Sequence, residues 1–195
     1  MNFLELSLKT RSYRRFDGQH QIGSNTLEGL IELARCTPSA ANMQPLKYIL
    51  SCTPEWNQKI FSTLSWAGYL PDWPGPEEAE QPTGYIIILI DKSIRENAEI
   101  DVGIAAQTIL LGATELGLGG CIFSSVNRKE LRPLLDIPGH FIISLAIAIG
   151  KPVEKVVLGD VQSGGSIEYY RDSDQTHHVP KRKIGELIYR IYSQP

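Results

Sequence analysis

Asn42 and Gln44 stand two residues apart in the stretch 38–45, which reads Pro-Ser-Ala-Ala-Asn-Met-Gln-Pro. Their amide side chains donate and accept together, a chemistry suited to a heterocycle whose edge alternates carbonyls with N–H groups. Ser39, Ala40 and Ala41 are small enough for a planar partner to approach the main chain, and Pro38 and Pro45 restrict the residues before them to extended conformations. As a plain helix-to-strand turn the stretch would need no ligand. Junctions of this kind nevertheless carry function more often than the elements they join.

The second chemistry is cationic. Arg11, Arg14 and Arg15 surround Ser12 near one end of the chain, and Lys181, Arg182 and Lys183 cluster near the other. Guanidinium forks and a hydroxyl match the oxygens of a phosphate; the plainer reading is a solvated basic loop. The formal net charge is -3 over 195 residues, which excludes the broad basic face that nucleic-acid binding needs. Two local clusters in a mildly acidic chain fit a small anion instead.

Other candidates carry less. Cys36, Cys52 and Cys121 are odd in number and widely spaced, so neither a disulfide framework nor a zinc site is expected, and each reads as a small packed hydrophobe. The adjacent pair His177-His178 lacks companions for a metal. Residues 1–9 have no signal-peptide pattern, and the longest apolar run, 141–149, is too short to span a bilayer. A reducing cytoplasm is the expected compartment.

The elements that position these residues read as one domain over 1–195. A short helix over 2–9 precedes the arginine turn. A helix from Ser24 or Asn25 to about Arg35, with Asn25 and Glu28 as a capping box, delivers the chain into the amide stretch. A weaker helical pattern covers 54–64. The segment 66–80, with Trp66, Tyr69, Trp73 and three glutamates, reads either as a lid over a flat ligand or as a loop packed on the protein's own surface. Residues 85–90 form a strand buried on both faces. Residues 99–116 form a helix apolar almost all round, whose small Gly103, Ala105, Ala106, Gly112 and Ala113 favour a subunit interface. Gly117-Leu118-Gly119-Gly120-Cys121 ends that helix where a ligand ring could meet the main chain, although the dinucleotide fingerprint is absent. Asn127 and Glu130 read as a second capping box, 141–149 as another buried strand, and 151–180 as largely irregular. A helix over 181–192 then offers its leading basic cluster to an anion.

Together these pieces resemble the FMN-dependent nitroreductase family. The resemblance rests on Arg11-Ser12-x-Arg14 with Phe16, on the 38–45 stretch, on the long helix running into the 117–121 glycines, on Gly150-Lys151-Pro152, and on Pro180-Lys181-Arg182, in the family's order. It implies an α+β fold with a mostly antiparallel central sheet flanked by helices, and an intertwined homodimer with two FMN sites at the interface. By motif, Arg11, Ser12 and Arg14, with Lys181 and Arg182, would hold the phosphate and ribityl chain. Ser39, Asn42 and Gln44, from the partner subunit, would line the flavin. The backbone at Phe123, Ser124 and Ser125 would lie near the reactive N5 edge. Thr10 stands where many members have a further arginine, leaving Arg11 or Arg15 to compensate, and no residue matches the family's cation at the flavin N1/O2 edge.

The activity so implied is ping-pong hydride transfer from NADH or NADPH through FMN to a small planar acceptor, a nitroaromatic or a quinone. No side chain need act as acid or base, so no catalytic residue is named. The alternatives are a flavin-binding or ligand-sensing protein without turnover, and a relative that fragments a flavin or removes halogen reductively.

Overall fold

The computed structural model describes residues 1–162 and 164–193. The chain forms two compact units, Met1–Trp66 with Pro74–Val153, and Ala67–Trp73 with the chain from Glu154 onward.

The first unit contains helices α1 (Phe3–Lys9), α2 (Ser24–Arg35), α3 (Pro54–Phe61), α4 (Glu99–Glu115) and α5 (Arg128–Leu134). Its strands β1 (Leu46–Ser51), β2 (Gly84–Asp91), β3 (Gly119–Phe123) and β4 (Phe141–Gly150) pair antiparallel in the order β1-β2-β4-β3. This is the expected α+β arrangement. The unbroken isoleucine run of β2 follows from its central place, for every residue of the strand is buried. Ile86, Ile88 and Ile90, with Ile147 and Ile149 of β4, pack against Leu27, Leu30 and Ala34 of α2 and Val102, Ala106, Ile109 and Ala113 of α4. Tyr85 and Ile87, on the opposite face of β2, are fully buried as well.

Helix α4 lies in this core, which accounts for most of its apolar surface. A Cβ at Gly112 would run into Leu30 and Leu33, so this small residue serves the approach of α2 within the same chain. A stripe bearing exposed Ile100, Gly103 and Gln107 remains on the other side.

Neither expected capping box forms. Helix α2 starts at Ser24 behind Gly23, without a side-chain cap, so Asn25 already lies inside it. Asn127 does precede α5, but its N–H is taken by the Thr63 carbonyl at 2.8 Å, which leaves Glu130 no free amide to reach. The capping box instead opens α1, where Glu5 N–H donates to Asn2 Oδ1 (2.9 Å) and Asn2 N–H to Glu5 Oε2 (3.1 Å).

The second unit is more ordered than its polar sequence implies. Strands β5 (Val156–Asp160), β6 (Tyr170–Arg171) and β7 (His177–Lys181) form a sheet of order β5-β7-β6, with β5 parallel and β6 antiparallel to β7. The strand separates the two histidines, as alternation requires: His177 is buried beside Tyr169, and His178 stacks on Tyr170 while bonding Asp172 Oδ2 at 2.7 Å. The loop 67–73 is tied to these strands by Tyr69 against Tyr169 and by Trp73 beneath the Arg171 guanidinium, 4.1 Å away. Arg171 also meets the buried Glu154 carboxylate at 3.1 Å.

The expected 181–192 helix is a single turn, α6 (Ile184–Leu187), because Lys181 belongs to β7. Its apolar stripe finds nothing to pack on, with Ile184 71% and Ile191 71% exposed. A short amphipathic helix without a packing surface is marginal.

Candidate functional site

The arginine turn is built as an extra edge on the main sheet. Thr10 ends α1, its hydroxyl donating to Leu6 O (2.8 Å) and meeting the buried Thr114 hydroxyl near the end of α4 (3.0 Å). The next residues run along β3: Ser12 forms a parallel bridge to Gly120, and Tyr13 N–H donates to Gly120 O at 3.0 Å. Glycine is required here, since a Cβ at Gly120 would lie 2.5 Å from the Ala148 carbonyl oxygen and one at Gly119 2.5 Å from the Tyr13 ring. Beyond, Phe16 bridges to Pro152, with Gly150 leaving room for its ring. Arg11-Ser12-x-Arg14 thus meets, at one corner, two motifs more than a hundred residues further along the chain, the 117–121 glycines and Gly150-Lys151-Pro152.

At this corner the three arginines differ. Arg11 donates one terminal nitrogen to Ser7 O at 2.7 Å, while its buried Nε has no hydrogen-bond partner among the described residues. Burial lowers its pKa, against a smaller upward effect of Tyr13. Half-buried Arg14 donates to Ser12 O at 3.3 Å. Arg15 is held in a two-pronged pair with Glu80, at 2.6 and 2.5 Å, while Phe16 N–H donates to Glu80 O. Glu80 thereby fixes Arg15, whereas Arg11 keeps its buried Nε without a hydrogen-bond partner among the described residues. The same pair anchors one end of the 66–80 segment. Trp66 anchors the other, buried between Phe61 and Phe123 with Gly75 against its indole.

The amide stretch has a different construction. The Ser39 hydroxyl donates to Asp101 Oδ2 and accepts the Gln44 N–H at 2.9 Å, and Ala40 N–H donates to Asp101 Oδ1 at 3.3 Å. The Gln44 side chain donates to Asn42 O at 3.1 Å, leaving Asn42 exposed. Ala41, Asn42 and Gln44 all have positive φ, at 51°, 54° and 51°, a region that costs an alanine about 1–2 kcal/mol. The turn borders a cleft of about 480 Å³ between α2 and the edge strand β1, lined by Ile31, Leu46, Tyr48 and Asp101 among others. Burial, then the Asp101 charge, raises the Tyr48 pKa. Asp101 was missed in the sequence; its one signal is an acid in a helix otherwise apolar on nearly every side.

Asp101 opens α4 and Thr114 closes it. Thirteen residues at 1.5 Å each put the amide turn and the arginine corner about 20 Å apart along α4. Phe123 is buried at the end of β3, and the carbonyls of Ser124 and Ser125 are engaged by Arg128 (3.1 Å) and Ser65 N–H (3.1 Å). Lys181 and Arg182 lie in the second unit, where Arg182 approaches Glu186 at 3.8 Å. Among the described residues no helix is long and apolar enough to cross a membrane.

A four-stranded antiparallel sheet covered by α2 and α4, with a glycine-lined corner at one end of α4 and an amide turn at the other, is an α+β arrangement of the nitroreductase kind. Residues 77–151, spanning β2 through β4, match the nitroreductase family. Over 161 residues the chain is 29% identical to a putative NADH dehydrogenase/NAD(P)H nitroreductase of Methanothermobacter thermautotrophicus, covering 79% of each protein. It is 24% identical to the CLA biosynthesis enone reductase of Lactiplantibacillus plantarum, covering 77% of this chain and 86% of that one. An FMN-dependent nitroreductase of Clostridium difficile superposes with a TM-score of 0.62 at 22% identity, covering 78% of this chain and 89% of the other. The chain is thus similar to nitroreductases, in sequence over 77–151 and in fold over most of its length.

Proposed function

We propose that this chain is an FMN-dependent NAD(P)H oxidoreductase that reduces flat electron-poor acceptors, nitroaromatics and quinones, by a ping-pong cycle. The observation that supports the reading is the presence of complementary chemistry at the two ends of α4, phosphate-matching cations at one and ring-matching amides at the other. The residues fit the cofactor, since Arg11 holds a buried Nε with no hydrogen-bond partner among the described residues, next in sequence to exposed Ser12 and close to half-buried Arg14.

When bound, FMN supplies hydride acceptance and donation at N5, between the nicotinamide and the acceptor. Arg11, Ser12 and Arg14 bind the phosphate and ribityl chain by charge-assisted hydrogen bonds. Ser39, Asn42 and Gln44 would line the ring from the partner protomer, bringing the separated half-sites onto one cofactor, and the main chain at 123–125 would lie near its reactive edge. No side chain is asked to carry a proton, because solvent can supply it. The resemblance adds Lys181 and Arg182 to the phosphate, so that 1–195 acts as one FMN-binding domain in an intertwined, cytoplasmic homodimer. The exposed stripe of α4 and the exposed apolar residues Leu187, Tyr189, Ile191 and Tyr192 support a second copy as partner.

The test is spectroscopic. The purified protein, loaded with FMN, is expected to bleach on anaerobic addition of NADH or NADPH and to recolour with a quinone or a nitroaromatic. An α,β-unsaturated ketone belongs in the same assay, because one relative is named an enone reductase. A protein that takes up no FMN overturns the reading, and a yellow protein that never bleaches reduces it to a flavin binder.

A further inference from the structure

The amide turn is held in its unfavourable backbone by a residue that touches no ligand in the reading above. Asp101 is buried, 4% exposed, and among the described residues no cation pairs with it. A buried carboxylate needs donors, and Asp101 has the Ser39 hydroxyl and the Ala40 N–H, with the positive end of α4's dipole beneath it. Ser39 relays the constraint by accepting the Gln44 N–H at 2.9 Å. Between these two anchored amides lie Ala41 and Asn42 at positive φ, followed by Gln44 at positive φ. Without the carboxylate, Ala41 and Gln44 would relax toward ordinary backbone angles and Asn42 would turn elsewhere.

We infer that Asp101 is a positioning residue for the flavin-facing amides, acting through Ser39 to hold Asn42 and Gln44 in the geometry that meets the ring. The inference rests on the functional reading above and adds a device on α4 that sets cofactor affinity and ring environment from beneath the site.

The experiment compares Asp101→Ala, Asp101→Asn and Ser39→Ala with the parent in two states. In the flavin-free protein, amide hydrogen exchange reports the turn: faster exchange at Ala40 and Gln44 is expected in Asp101→Ala, at Gln44 alone in Ser39→Ala, and much less change in Asp101→Asn, which keeps an acceptor for the serine. With FMN, the dissociation constant is expected to rise about 10-fold in Asp101→Ala, or about 1.4 kcal/mol. The visible circular dichroism of the bound flavin should change with it, and Asp101→Asn should restore most of both. Should Asp101→Ala fail to fold, Ser39→Ala supplies the same two readouts. Unchanged flavin affinity and dichroism in a folded variant, with only a lowered melting point, overturns the inference and leaves Asp101 a core residue. A parent that binds no FMN fails the functional reading and the flavin half of this inference with it, while exchange at Gln44 still decides whether Asp101 holds the turn.

Discussion

The two ends of α4 solve the same problem, fixing a short non-regular segment, by opposite means. At the carboxy-terminal end the segment carrying Arg11 and Ser12 is held by main-chain pairing to Gly120 and by the absence of side chains at Gly119, Gly120 and Gly150. At the amino-terminal end the 39–44 turn depends on side chains, a carboxylate and a hydroxyl, which hold three non-glycine residues at positive φ. The first end should tolerate polar substitutions but no added Cβ. The second should tolerate small changes of volume but not the loss of a polar atom.

The largest expected effect tests the first half of that contrast. Gly120→Ala puts a methyl carbon 2.5 Å from the Ala148 carbonyl oxygen and 2.7 Å from Leu110, inside a four-stranded sheet that cannot shift one carbonyl alone. Overpacking of this kind costs about 1–3 kcal/mol, and backbone contact puts this case toward the upper figure. Chemical denaturation measures the loss, and flavin uptake should fall with it because Ser12 loses its edge. An equal stability loss for Gly23→Ala, where a Cβ would meet nothing within 4 Å, would show that glycine spacing is not what builds the corner.

Much of this contrast is legible in the sequence on one side and little on the other. The β2 and β4 strands, the long central helix and the helix stop at Gly117 follow from apolar runs and glycine chemistry. The convergence of Arg11, Gly120 and Lys151 was available only through the family resemblance, because sequence spacing says nothing of which edge a loop joins. The relay from Asp101 to Ser39 spans 62 residues and leaves as its trace only an acid in the first turn of an otherwise apolar helix, beside Glu99, which has the same look. Capping boxes misled at Asn25, because α2 starts a residue earlier behind Gly23, and at Asn127, because the pattern cannot show that its backbone N–H already has a partner. The strands of the second unit escaped notice since β6 has two residues and β7 contains a proline.

A smaller effect distinguishes the arginines within the first end. Arg11→Ala removes a partly desolvated guanidinium whose Nε awaits a partner, so FMN should bind about 10- to 100-fold more weakly, the range for hydrogen bonds to a charged group. Arg14→Ala, at a half-buried position whose guanidinium already donates to Ser12 O, should cost less than about 10-fold, as the water that reaches it screens part of its charge. Flavin fluorescence titration reads both. If Arg14→Ala is the more damaging, the phosphate sits on the Arg14 side and Arg11 is a structural tie to Ser7.

The smallest effect on flavin belongs to Arg15, and it is informative because the sequence leaves Arg15 and Arg11 as rivals. Both prongs of Arg15 are engaged by Glu80, each side chain about one quarter exposed at 26% and 28%. Arg15→Ala should therefore leave FMN affinity within about 2-fold while lowering stability by roughly 1 kcal/mol, less than a fully buried pair would lose because solvent screens part of the interaction. Glu80→Ala should lower stability similarly, and the double variant should lose less than the sum of the two. If Glu80→Ala instead tightens FMN binding, the released Arg15 reaches the phosphate and the pair with Glu80 competes with the cofactor.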